Sequence, residues 1–147
     1  MNKTDIKTEL EKNGAVICPS EDTSMMPLLR QGKDFMIIKN RCGEKLKVGD
    51  AVLCIRGNNY VLHRIVAEVS DGYLICGDNR KTAQHVFDGE IIGIMTGFIR
   101  DGKETSVEDP GYKKYVKAVL EFRQPVQNMK ALASKSRKAL RRILGNK

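Results

Sequence analysis

Short apolar runs separated by polar turns occupy most of the chain. They lie at Ala15 to Cys18, Phe35 to Ile38, Ala51 to Ile55, Tyr60 to Val69, Tyr73 to Cys76 and Ile91 to Ile99. Runs of this length, bounded by turn residues, predict β-strands. Between them stand clusters such as Arg56-Gly57-Asn58-Asn59 and Ser70-Asp71-Gly72, whose residues tolerate the left-handed backbone angles of tight reversals. Many short strands with short polar connections predict a mainly β domain, an antiparallel barrel or coiled sheet, rather than alternating βαβ units. Thr4 to Lys12 has helix-forming composition and Gly14 supplies a stop, so a short amphipathic helix precedes the strands. After Asp109-Pro110-Gly111 the pattern turns helical, with an interruption at Pro125, which lacks the donor that an interior helical position needs. From Val126 onward, Met129, Leu132, Leu140, Ile143 and Leu144 recur near helical spacing among Lys and Arg. The expected organisation is a β domain over residues 1–111 and a basic helical tail over 112–147.

The length of 147 residues with 41% hydrophobic content suits one domain with a core that closes without covalent staples. Cys18, Cys42, Cys54 and Cys76 form no C-x-x-C pair, so neither a zinc site nor a redox dithiol is expected, and no cofactor is implied. Cys54 and Cys76 lie in apolar runs and read as buried thiols of a reducing compartment. No stretch approaches the roughly 20 apolar residues that span a bilayer, and the first residues lack the apolar core of a secretory signal. A cytoplasmic location follows as the expectation. Charge is unevenly placed. Residues 1–111 carry 15 Lys and Arg against 17 Asp and Glu, a net −2, whereas residues 112–147 carry 11 against Glu121 alone, a net +10. A basic tail on a near-neutral body points to an anionic surface.

Three strings carry candidate chemistry. In Thr23-Ser24-Met25-Met26-Pro27 a serine sits between an extended run and a proline-stiffened turn, which can present its hydroxyl at a fixed angle; the same position also suits a helix-capping or loop serine. In Tyr60-Val61-Leu62-His63-Arg64-Ile65, strand alternation puts His63 on the face of Val61, Ile65 and Val69. A desolvated imidazole there stays neutral and able to accept a proton, or serves as a hydrogen-bonded core residue. Arg64 points the other way, to the surface or into a salt bridge. The third string, Cys76-Gly77-Asp78-Asn79-Arg80, is a turn whose carboxylate is also suited to orienting an imidazole.

Taken in order, Ser24-Met25-Met26-Pro27, Gly49-Asp50-Ala51-Val52, His63-Arg64 and Gly77-Asp78-Asn79-Arg80 resemble the motifs of the signal peptidase I family over about residues 15–100. The resemblance implies a mostly β domain around a coiled sheet, with Ser24 as nucleophile and His63 as general base beside a shallow cleft. Histidine at the base position is similar to the endoplasmic-reticulum type, whereas Gly77-Asp78-Asn79-Arg80 looks like the bacterial form. Met25 and Pro27 fall to the substrate side. The orienting acid stays open between Asp78 and Asp88, because Gln84 stands where the histidine type places a further aspartate. Asp22 stands where the family usually has serine or glycine; a carboxylate there repels a developing oxyanion unless it points away.

The resemblance implies a serine endopeptidase that cleaves a peptide or a precursor's leader sequence, without metal or cofactor. The alternative is a catalytically impaired module that binds extended peptides. The tail either lies on anionic lipid at the inner face of a membrane or packs on the body. With no aromatic residue after Phe122, nucleic acid is the less suited partner.

Overall fold

The computed structural model describes residues 3–122, and the expected tail helix from Val126 lies outside the described residues. Helix α1 (Lys3–Asn13) is followed by strands β1 (Ala15–Pro19), β2 (Phe35–Asn40), β3 (Ala51–Arg56), β4 (Asn59–Val69), β5 (Gly72–Cys76), β6 (Gln84–Val86), β7 (Ile91–Arg100) and β8 (Lys103–Ser106), then helix α2 (Pro110–Phe122). All pairings are antiparallel. The sheet order is β1-β2-β7-β3-β4-β5-β6, with β8 also paired to β7, and the sheet curls into a half-barrel. The expected mainly β class with a short N-terminal helix is what the chain forms. No helix among the described residues is long and apolar enough to cross a membrane.

The turns follow their residues. Arg56 pairs with Asn59 across the two-residue turn Gly57-Asn58, and Gly57 alone of that pair has positive φ, +62°, as a type II′ hairpin requires. Gly14, at φ +79°, ends α1 by donating its N–H to the Leu10 carbonyl at 3.0 Å, the left-handed stop that glycine permits. β7 is paired with three strands. β2 runs along one side of it, while β3 pairs with its first half and β8 with its second.

Both faces of the sheet are covered. On one, Leu10 of α1, Met25 and Leu29 of the β1–β2 connection and Tyr112 of α2 pack with Leu53, Leu62 and Met95. On the other, Val52, Cys54, Ile65, Ile75 and Ile94 close over Leu46. β4 switches sides along its length. Ile65 pairs with Ile75 but Ala67 with Leu74, so Val66 is the extra residue of a bulge, and a bulge reverses the alternation beyond it. Val61 and Ile65 therefore belong to the cluster that contains Val52 and Ile75, while Val69 joins Leu74 and Cys76. The expected common face of His63 with Val69 ends at this bulge.

α2 is anchored to the body by its first turns. Tyr112 is buried, and the expected boundary between residues 111 and 112 falls inside the helix's first turn. Cys54 and Cys76 are buried, as is Cys18, and Cys42 is exposed; none of the four is in a disulfide.

Candidate functional site

The β1–β2 connection carries Ser24 and the loop after β5 carries the Gly77-Asp78-Asn79-Arg80 string. The fold clamps them together. Asn79 donates its backbone N–H to the Ser24 carbonyl at 3.2 Å and its side-chain amide to the Thr23 carbonyl at 2.7 Å. Arg80 Nη2 donates to Thr23 Oγ1 at 2.9 Å. Gly77 makes the approach possible: a Cβ there would lie 2.6 Å from the Ser24 carbonyl oxygen and 2.8 Å from the Ser24 Cβ, closer than such atoms pack. Ser24 is itself buried, at 3% exposure.

His63 sits alongside this clamp. Arg64 of β4 pairs with Cys76 of β5, so the next position along each strand is His63 on one and Gly77 on the other. Burial pulls the His63 imidazole below its ordinary pKa, opposed by the charges of Asp22 and Asp78 and assisted by those of Arg80 and Arg56. Asp22 bonds the Ser24 N–H, Arg80 holds the adjacent Thr23, and Asp78 lies between Gly77 and Asn79, the two residues that approach Ser24. The His63 Nδ1 atom is buried and has no hydrogen-bond partner among the described residues. No hydrogen bond joins the Ser24 side chain to His63 among the described residues, and the Asp22 carboxylate lies against the serine through its backbone N–H.

The two candidate acids have other partners. Asp78 receives Arg64 in a bidentate pair, Nε to Oδ1 at 2.8 Å and Nη2 to Oδ2 at 2.9 Å, and both side chains are fully buried. The phenol of Tyr115 donates to Asp78 Oδ2 at 2.6 Å, and Arg64 Nη1 reaches the Tyr112 hydroxyl and the Gly49 carbonyl. Burial works against the Arg64 charge, but the Asp78 bonds outweigh it and raise the guanidinium pKa. Of the two expected placements for Arg64, the salt bridge is the one observed. Asp88 lies in the 3-10 turn before β7, where its carboxylate accepts from Arg41 Nη2 at 2.8 Å. Tyr112 and Tyr115 were not foreseen from the sequence; they sit on a helix outside the strings, and the pertinent signal was an arginine within a strand pattern, which needs an acid and further acceptors once buried.

Asp22 does not point away from the serine. One carboxylate oxygen, Oδ1, accepts the backbone N–H of Thr23 at 2.6 Å and that of Ser24 at 3.3 Å. Burial pushes the Asp22 pKa up, but hydrogen bonds from Ser24 and Thr23 and the charge of Arg80 prevail and hold it below the usual range.

A cleft of about 510 Å³ opens beside Ser24, floored by Met25, Leu29, Met36, Leu53 and Leu62, with Tyr60 at its side. Met25, expected on the substrate side, lines it. Pro27 is not among its lining residues; it is exposed, follows a cis peptide bond, and its carbonyl accepts from Arg100 at 2.9 Å. His63 lies outside the lining, next in sequence to Leu62. The described residues contain no cluster of three or more His, Cys, Asp or Glu able to hold a metal ion.

Comparison with family models, with curated proteins and with solved structures found no match.

Proposed function

We propose that this chain is a serine endopeptidase of the signal peptidase I type, in which Ser24 is the nucleophile and His63 the general base. The observation that carries the reading is the His63 ring: a buried Nδ1 without a partner, beside the loop that clamps Ser24. An unpartnered buried polar atom costs about 1–3 kcal/mol, and a catalytic role is one of the reasons for which a fold keeps such an exception. A pKa below the ordinary value keeps the imidazole neutral and ready to take a proton near neutral pH. In the reaction, the Ser24 Oγ attacks a peptide carbonyl, its proton passes to His63, His63 returns the proton to the leaving amine, and water hydrolyses the ester. The apolar cleft beside Ser24 supports an extended, apolar peptide segment as substrate. In this reading Asp78 acts on the site at one remove: its bonds to Arg64 and Tyr115 fix the loop whose Gly77 and Asn79 hold Ser24.

The test is incubation of the purified protein with a mixed peptide library, read by mass spectrometry. New fragments that disappear in both Ser24→Ala and His63→Ala, with each variant still folded, are the expected result. Cleavage that survives either substitution rejects the mechanism.

A second reading has its own observation. The Asp22 carboxylate covers the Ser24 N–H, and this favours a peptidase-like module that binds extended peptides, by strand addition beside β1, without cutting them. Binding without fragments or acyl adduct is its signature. In either reading the net +10 of residues 112–147 supports an anionic membrane surface as the place of action.

A further inference from the structure

Acyl transfer from a peptide creates an oxyanion, and serine hydrolases stabilise it with fixed N–H donors, among them the backbone N–H of the attacking serine. In this chain that donor is already occupied. The Ser24 N–H and the adjacent Thr23 N–H converge on a single oxygen, Asp22 Oδ1, at 3.3 and 2.6 Å. Two successive N–H groups aimed at one point form an anion nest, and the anion in it is a side chain of the chain itself. We propose that the Asp22 carboxylate is a built-in occupant of the oxyanion position, and that its departure limits the rate at which Ser24 is acylated. This rests on the serine peptidase reading above.

The surroundings suit an occupant that leaves. The Asp22 side chain is 59% exposed, so it can swing outward without disturbing the core. A cation is waiting on that side. Arg80 Nη2 lies 3.8 Å from Asp22 Oδ1, and the guanidinium is fixed by Thr23 Oγ1 at 2.9 Å and by Asn79 Oδ1 at 2.7 Å. Once the carboxylate leaves for solvent or for Arg80, the vacated point faces two N–H groups with the Arg80 charge nearby, a donor set suited to a developing negative oxygen. While the carboxylate stays, an incoming carbonyl oxygen meets a negative charge in its place.

The experiment measures second-order labelling of the full chain by an alkyl fluorophosphonate. Ser24 Oγ bonds to phosphorus, the P–F bond breaks, fluoride leaves, the hydroxyl proton goes to His63, and the phosphoryl oxygen takes the oxyanion position. Asp22→Ala is expected to label at Ser24 about tenfold faster than wild type or more. Asp22→Asn, which keeps an acceptor oxygen but loses the charge, is expected to fall between. A merely structural Asp22 predicts no gain. Wild type labelled at Ser24, with a folded Asp22→Ala labelled no faster, overturns this inference and leaves the peptidase reading standing. Absence of label on Ser24 in wild type and variants alike overturns both. If Asp22→Ala fails to fold, Asp22→Ser carries the same expectation and the same criterion.

Discussion

At His63, desolvation and the missing partner act in one direction: both keep the ring neutral and a nitrogen available. Because its pKa lies below the ordinary 6.5, the neutral form persists into mildly acid solution. The acid limb of fluorophosphonate labelling should therefore have its midpoint below the ordinary imidazole value of 6.5, as the ring takes up a proton. An acid limb centred at pH 7 or above would contradict the account. The sequence offered Ser24, His63 and Asp78 as separate strings, and it is Gly77, unremarkable in a turn, whose missing Cβ lets the first string meet the third. The state of Asp22 was not legible. Its residue type foretold a conflict with an oxyanion, but whether a side chain turns toward or away from a backbone N–H depends on loop angles that one sequence does not encode locally. The same holds for Asp88, whose partner Arg41 comes from a distant loop.

At the scale of elements, α2 is tied to the site by a buried network rather than by apolar contact alone. Arg64 and Asp78 are both fully buried, and removing one partner of a buried pair strands the other charge at a cost of about 3–5 kcal/mol. Asp78→Ala should lower folding stability by that amount in urea denaturation, and Tyr115→Phe, which deletes one hydrogen bond to a charged group, by about 1.5–3 kcal/mol. An Asp78→Ala protein as stable as wild type would show that the pair does not hold α2 and the loop after β5. The longer strands were readable because apolar runs and turn residues agree. β6 and β8 were not predicted: Gln84–Val86 is three residues long and Lys103–Ser106 is polar, so neither presents an apolar period. β8 did carry a signal in its turn. Asp101 and Gly102 both have positive φ, and Asp-Gly is a favoured pair for that hairpin. The bulge at Val66 likewise escaped a reading based on strict alternation.

Across the whole molecule, the connection bearing Ser24 is pinned at its far end by Asp34, a fully buried carboxylate that accepts from Arg30 and Arg100. Arg100 also reaches the carbonyls of Pro27 and Leu28, so β7 is stitched to the loop that carries Ser24. Hydrogen bonds from Arg30, opposed by burial and aided by Arg100, lower the Asp34 pKa from 3.8 to about 2. A carboxylate depressed in the folded state stabilises above its unfolded pKa and loses that contribution as pH falls toward the folded value. Between pH 5 and pH 2, wild type should lose about 1–2 kcal/mol more than Asp34→Asn, allowing for the exposure of the two arginines; equal losses would contradict the assignment. The basic character of residues 112–147 was plain from composition, whereas the docking of α2 depends on tertiary contacts that composition does not record. What joins these scales is the proposal that a neutral His63 activates the Ser24 hydroxyl. Peptide mapping of the full chain after fluorophosphonate treatment tests it most directly. The account predicts a single adduct on Ser24 that is lost in a folded His63→Ala variant; an adduct elsewhere, or one on Ser24 formed equally well without His63, would contradict it.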